Sequence, residues 1–132
     1  MLKLIGAKIF AAYAHQKNKK WINNPLEAQQ KVFKSLLQEG MKTRFGKEHH
    51  FEKILTSNEF SSAVPVRDYE DLKPYIDSVL EGEANVLWPG RPLYYAKSSG
   101  TTSGAKYIPI SKESMPQHIR AAREALLNYI YK

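Results

Sequence analysis

Residues 98–106 read Ser98-Ser99-Gly100-Thr101-Thr102-Ser103-Gly104-Ala105-Lys106, and the fold assignment depends on this stretch. All but its last two residues carry a hydroxyl group or are glycine. The glycines allow backbone conformations that a Cβ atom would block, and successive N–H groups in such a loop can form a concave anion-binding nest. The hydroxyls can donate hydrogen bonds to phosphate oxygens, and Lys106 adds a positive charge. The stretch therefore predicts a loop that binds a polyphosphate.

The spacing of the glycines excludes two common phosphate-binding motifs. The Walker motif has four residues between its glycines, followed directly by Lys and then Ser or Thr. Here three residues separate Gly100 from Gly104, and Ala105 precedes Lys106. Tyr107 stands where a hydroxyl would bind magnesium, and the Gly-x-Gly-x-x-Gly pattern of dinucleotide-binding proteins is absent. On these residues alone, an ordinary exposed turn, with Lys106 on an exposed strand, remains the alternative.

The loop resembles the phosphate-binding loop of acyl-adenylating enzymes. Its double serine and its continuation from Lys106 through Ser111 resemble, more specifically, the plant auxin-responsive acyl acid–amido synthetases and their bacterial relatives. Three further blocks are similar to that family and occur in its order: Thr43–His49, Val64–Ile76 and Gly82–Gly90. The chain is therefore identified as resembling a bacterial relative in this family.

The resemblance implies a mixed α/β fold that is incomplete within these 132 residues. By this resemblance, residues 1–132 are the N-terminal portion of the large adenylation domain. They would be helical over residues 1–82 and form a strand–phosphate loop–strand–helix unit over residues 86–132. The rest of that domain and the C-terminal domain are expected beyond Lys132. The open edge of such an unfinished sheet favours self-association of the isolated chain.

The resemblance also implies the chemistry. Members of the family use ATP to activate a carboxylic acid as an acyl-AMP, and then transfer the acyl group to an amino acid. The resemblance assigns binding of the ATP phosphates to Ser98, Ser99, Gly100, Thr101, Thr102, Gly104 and Lys106. It implies Mg²⁺ with the nucleotide, although the sequence assigns no metal ligand and no catalytic residue. The residues that contact adenine, ribose and the acyl group would lie beyond Lys132, so the chain alone is expected to be inactive.

The composition indicates a folded protein, because 42% of the residues are hydrophobic and 25% are charged. The absence of cysteine excludes disulfides, cysteine nucleophiles and thiolate metal sites. It agrees with the reducing cytoplasm, where we expect the protein to be located.

The net charge of +7 suggests nucleic acid or a membrane surface as a possible partner. However, the sequence has no recognition-helix, zinc-knuckle or base-stacking pattern, so we interpret the Lys17–Lys20 cluster as a solvated face and expect no nucleic acid. Residues Met1–Ala14 are too short and too charged to span a bilayer. We interpret them as an amphipathic helix packed on its own protein, with a surface anchor as the alternative. A non-catalytic phosphate-binding module or a basic interaction module remains the alternative function.

Several helices are predicted before the loop. Asn24-Pro25 begins one that Gly46 ends, and a short helix around Ile54 and a loop are assigned to residues 51–62. A helical turn over Asp68–Leu72 is followed by a helix that Pro74 begins and Gly82 ends.

A strand over Leu93–Ala96, the loop and a return strand over Tyr107–Ile110 then predict a hairpin. Ser111 is predicted to cap the last helix, with Pro116 in its first turns. The apolar face of this helix is predicted to contain Met115, Ile119, Ala122, Leu126 and Ile130.

Two other groups of side chains are interpreted as structural. The adjacent His49 and His50 rarely share one metal ion without further ligands nearby. Asp68, Glu70 and Asp71 suit the positive end of a helix dipole better than an acid–base pair.

Overall fold

The computed structural model describes residues 2–100 and 104–131. The described elements are α1 (Leu2–Asn23), α2 (Pro25–Gly40), α3 (Arg44–Glu48), a 3₁₀ turn (Phe51–Lys53), α4 (Ser57–Ala63), α5 (Tyr69–Leu80), β1 (Tyr94–Lys97), β2 (Tyr107–Ile110) and α6 (Ser114–Tyr131). The fold is therefore mixed α/β, as predicted. The chain divides into two compact units, Met1–Lys31 with Glu113–Lys132, and Val32–Lys112.

The first unit contains an antiparallel pair formed by α1 and α6. The pair is close-packed at Ala11, which is 1% exposed, and at Leu127. Asn18 Nδ2 donates to Glu124 Oε2 over 3.5 Å, and His15 stacks on Tyr131 with ring centroids 4.2 Å apart. The helix predicted for Met1–Ala14 therefore continues to Asn23.

The large apolar side chains of this unit are placed differently from the prediction. Ile9 and Tyr13 of α1 are exposed, whereas Ala11 and Asn18 of the same helix are buried. In α6, Ile119 and Leu126 are exposed and Leu127 is buried, which corrects the predicted apolar face. Within residues 2–100 and 104–131, none of the helices combines the length and the apolar character that crossing a membrane requires.

The core of the second unit forms where the end of α2 meets the 3₁₀ turn and α4. Its buried residues are Leu37, Phe51 and Ile54, and four half-buried side chains pack around them: Phe33, Phe45, Phe60 and Val64. Phe33 and Phe60 meet edge to face at 5.8 Å, as do Phe45 and Phe51 at 6.0 Å. Aromatic pairs with this geometry contribute beyond their buried area.

The helix predicted to run from Pro25 to Gly46 ends at Gly40, which corrects the prediction. Thr43 caps a separate helix, α3: its Oγ1 donates to Gly40 O over 2.7 Å and accepts from Gly46 N over 3.0 Å. Gly46 lies buried inside α3 against Gly40, where a Cβ atom would stand 2.0 Å from Gly40 O. Gly46 is therefore required for a close approach of two helices, and it is not a helix stop.

Capping boxes fix the starts of α4 and α5. Thr56 and Glu59 exchange side-chain-to-backbone hydrogen bonds at α4, and Asp68 and Asp71 do so at α5. Helix α5 therefore runs without interruption from Tyr69, and Pro74 lies inside it rather than at the start of a second helix. Pro74 costs the helix one hydrogen bond, while Ile76 and Val79 beyond it are buried and hold the helix in place.

Helix α5 ends as predicted. Gly82 has φ of +93°, its N–H donates to Val79 O over 3.1 Å, and the N–H of Glu83 donates to Ser78 O over 3.0 Å. The chain then returns to α3, where the N–H groups of Arg44 and Phe45 donate to the carbonyls of Asn85 and Val86. Val86 is completely buried there.

Strands β1 and β2 form the predicted antiparallel hairpin, with Tyr94 opposite Ile110 and Lys97 opposite Tyr107. Strand β1 begins and ends one residue later than the predicted Leu93–Ala96. The following helix begins at Ser114, three residues after Ser111, the residue predicted to cap it. Pro116 explains the later start. The first N–H groups of a helix have no partner within it, so a proline at the third residue of α6 costs no hydrogen bond. A helix that began at Ser111 would place Pro116 deeper, where an N–H would be needed.

Candidate phosphate-binding site

The predicted phosphate loop connects β1 to β2, and a pair of hydrogen bonds fixes its two ends. Ser98 N donates to Lys106 O over 3.0 Å, and Lys106 N donates to Ser98 Oγ over 3.0 Å. Because the serine hydroxyl only accepts in this pair, its own hydrogen stays available to an anion. The hairpin therefore holds the first serine and the last lysine of the loop at one position.

Two glycines bring the loop back on itself. Gly100 has φ of +65° and Gly104 has φ of +82°. A Cβ atom on Gly100 would stand 2.6 Å from both Gly104 C and Ala105 N, whereas a Cβ atom on Gly104 would meet nothing within 4 Å. The backbone around Gly100 thus forms a close contact that only glycine permits.

The structure places five of the predicted site residues in this one loop: Ser98, Ser99, Gly100, Gly104 and Lys106. Ser99 is exposed beside Gly100. Thr101 and Thr102 lie outside the described residues. Phosphate binding by the seven residues stays a prediction.

The ammonium group of Lys106 lies over an aromatic ring. Its Nζ is 5.2 Å from the centre of the Tyr69 ring, and within the described residues no carboxylate lies in ion-pair range of it. Lys97, at the end of β1, similarly lies over Tyr107 with Nζ 5.6 Å from the ring centre. Two cations therefore flank the loop, Lys97 at the end of β1 and Lys106 directly before β2.

Sequence reasoning missed Lys97 and Tyr69. Lys97 had a local signal, because it directly precedes Ser98 on a strand that leads into the loop. Tyr69 had none: it lies 38 residues before Tyr107, whose backbone N–H donates to the Tyr69 hydroxyl over 2.8 Å. Only the packing of α5 against β2 brings it to the loop.

Comparisons with known proteins identify the family. The GH3 family N-terminal domain matches residues 14–132. The chain belongs to this family. It is similar to the indole-3-acetic acid-amido synthetase GH3.2 of Arabidopsis thaliana, with 32% identity over 94 residues that cover 70% of this chain and 17% of that protein.

A second relative of this GH3 domain is the jasmonoyl-L-amino acid synthetase JAR4 of Nicotiana attenuata, which is 28% identical over 89 residues, or 66% of this chain and 15% of the relative. The chain thus matches about a sixth of the length of these two relatives. No solved structure matches it.

In the GH3 domain described here, both ring nitrogens of His49 have partners. Nδ1 lies 2.7 Å from Phe45 O, and Nε2 lies 3.0 Å from Arg67 Nη2. A carbonyl only accepts and a guanidinium only donates, so these contacts assign the donor role to Nδ1 and the acceptor role to Nε2. Arg67 also lies over the rings of Phe45 and Tyr75. His49 is therefore a structural residue of a partly buried cluster.

The remaining titratable groups near this cluster are also structural. The Tyr75 hydroxyl donates to a Glu48 carboxylate oxygen, and this hydrogen bond is the main reason why the pKa of Tyr75 is raised. The phenol thus stays protonated at neutral pH and cannot act as a base there. In residues 2–100 and 104–131, no group of His, Asp or Glu side chains could hold a metal ion. Asp68 and Asp71 cap α5, as their interpretation as a helix start predicted.

Proposed function

We propose that this chain provides the ATP phosphate-binding loop of an acid–amido synthetase. The reaction joins a small carboxylic acid to an amino acid through an acyl-AMP. Membership of the GH3 family supports this proposal, as do the names of its relatives, which are amido or amino acid synthetases acting on an acid. The observation that supports it most directly is the close backbone contact at Gly100, where Gly104 and Ala105 leave no room for a Cβ atom.

The geometry of the loop fits a polyphosphate. The space that a Cβ would occupy at Gly100 is filled by backbone, so N–H groups and hydroxyls can approach an anion without side chains in between. Ser98 and Ser99 supply hydroxyl donors, and Lys106 and Lys97 supply charge. Mg²⁺ is proposed to arrive with the nucleotide, because the described residues offer no carboxylate cluster for it.

The proposed reaction needs the positive charge of the two lysines at the step in which pyrophosphate leaves. A carboxylate oxygen attacks the α-phosphorus of ATP, the bond to the β-phosphate oxygen breaks, and pyrophosphate leaves with the extra negative charge. The amine of the amino acid then attacks the acyl carbon, AMP leaves and the amine loses a proton. The loop would hold the phosphates and stabilise the leaving charge through preorganised donors.

The first prediction concerns the isolated chain. Because the loop binds only phosphates and the chain matches 17% of its Arabidopsis relative, we expect 132 residues to bind ATP weakly and not to adenylate an acid. Purified chain incubated with MgATP, labelled pyrophosphate and a panel of carboxylic acids should give no acid-dependent exchange of label into ATP. Exchange that depends on the acid would show that these residues complete the site.

The second prediction tests the loop through Lys106. Lys106→Ala should weaken binding of ATP and of tripolyphosphate about tenfold, because it removes one charge-assisted contact to phosphate. Lys106→Arg should retain most of the affinity. Titration calorimetry or amide chemical shifts would give the dissociation constants, at chain concentrations where sedimentation shows a monomer.

Lys112→Ala is the matched control. It removes the same charge from the other end of the hairpin, two residues after Ile110, and should leave the affinity unchanged. If both variants lose affinity equally and the loss follows ionic strength, binding depends on net charge. The basic interaction module would then replace the synthetase proposal.

A further inference from the structure

Both the hydroxyl and the aromatic ring of Tyr69 contact residues at the end of the phosphate loop. Its hydroxyl accepts from Tyr107 N over 2.8 Å, and its ring lies under the ammonium of Lys106 at 5.2 Å. Tyr69 is the first residue of α5 and directly follows the cap Asp68. The ring is therefore held by a rigid element and not by another loop.

The contact to Tyr107 satisfies an amide that the hairpin leaves unpaired. Ser98 and Lys106 form a hydrogen-bonded pair, so in an antiparallel ladder the next pair, Lys97 with Tyr107, is not hydrogen-bonded. The Tyr107 N–H thus points away from β1, towards α5. The next outward position on β2 is Pro109, which has no N–H. Tyr69 is accordingly the anchor between this edge of the hairpin and α5.

We infer that Tyr69 is a positioning residue, which is held at the end of the phosphate loop and directs the Lys106 ammonium towards the bound phosphates. This inference rests on the proposed function. A lysine has a flexible four-carbon stem and loses much rotamer freedom when it binds. A ring below the ammonium reduces that freedom in advance through a cation–π contact. Among the described residues no carboxylate pairs with this ammonium, so its charge is available to an anion.

The test is a double-mutant cycle on the 132-residue chain, with tripolyphosphate as the probe. Tyr69→Leu should weaken binding about fivefold in the wild-type background. In the Lys106→Ala background it should change binding by less than about twofold, because the group that it positions is gone. Equal losses in both backgrounds would overturn the inference, since a purely structural effect does not depend on Lys106.

Two measurements without ligand test the contacts of Tyr69 with Lys106 and Tyr107 independently of phosphate binding. The Lys106 methylene protons nearest the ammonium should show an upfield ring-current shift in the wild type and in Tyr69→Phe. Tyr69→Phe should speed hydrogen exchange of the Tyr107 amide about tenfold, because only its hydroxyl partner is lost. Absence of the ring-current shift in the wild type overturns the inference without any variant.

The two proposals fail differently. If the wild type does not bind tripolyphosphate, the phosphate-site proposal fails, and the role of Tyr69 fails with it. If the wild type binds and Lys106→Ala weakens binding but Tyr69→Leu does not, only the role of Tyr69 is overturned.

Discussion

Replacing Gly46 by alanine should destabilise the unit formed by Val32–Lys112 by about 3 kcal/mol. The new methyl group would lie 2.0 Å from Gly40 O and 2.6 Å from Gly40 C, which are backbone atoms that cannot rotate away. Thr43 holds the same two glycines together through its hydroxyl, so separating them would also break the cap of α3. The usual gain of about 1 kcal/mol for Gly→Ala inside a helix is therefore reversed in sign.

Gly6→Ala is the control for this variant. Gly6 lies in α1 with nothing within 4 Å of the added methyl group, so this substitution should stabilise its helix by up to about 1 kcal/mol. Urea unfolding followed by residue-resolved hydrogen exchange would report the two units separately. A Gly46→Ala chain as stable as the wild type would show that α2 and α3 do not approach as closely as described.

The errors in the sequence interpretation have a common physical cause. Gly46 was interpreted as the end of a helix and Pro74 as the start of one. The place of Gly46 depends instead on its tertiary contact with Gly40, and the place of Pro74 depends on a stronger helix-start signal earlier in the chain. The cap at Asp68 determines where α5 begins, so Pro74 falls inside it. The cap at Thr56 is a similar local signal, since Thr56 and Glu59 have capping-box spacing in the sequence. It would have predicted α4.

The hairpin could be predicted because its information is local. Two short runs of aromatic and β-branched residues surround a glycine-rich loop, and β2 has the predicted bounds, Tyr107–Ile110. The candidate site could be named from the sequence because its proposed ligands lie close together in the chain, and phosphate binding by them stays a prediction. Tyr69 could not be predicted, because its hydroxyl meets Tyr107 only through the packing of α5 on β2. No spacing rule relates two residues of separate elements in this way.

The largest effect on the proposed function is expected from Gly100→Ala, which should reduce the affinity for tripolyphosphate and ATP at least about 30-fold. Two costs combine at this residue. A left-handed conformation costs a non-glycine residue about 1–2 kcal/mol, and the methyl group would stand 2.6 Å from Gly104 C and Ala105 N. The Ser98–Lys106 pair fixes the ends of the loop, so the loop can relieve the contact only by opening where the phosphates are proposed to bind.

Gly104→Ala separates the two costs. Gly104 has φ of +82° but open space around an added methyl group, so this variant bears the conformational cost without the clash and should lose only about tenfold in affinity. Titration calorimetry of both variants with tripolyphosphate would measure the difference. The thermal stability of Val32–Lys112 should change little in either, because the loop residues Ser98 and Ser99 before Gly100 are exposed. Equal affinity losses in the two variants would mean that phosphate binding does not depend on the close backbone contact at Gly100. The main observation in support of the phosphate-binding proposal would then be removed.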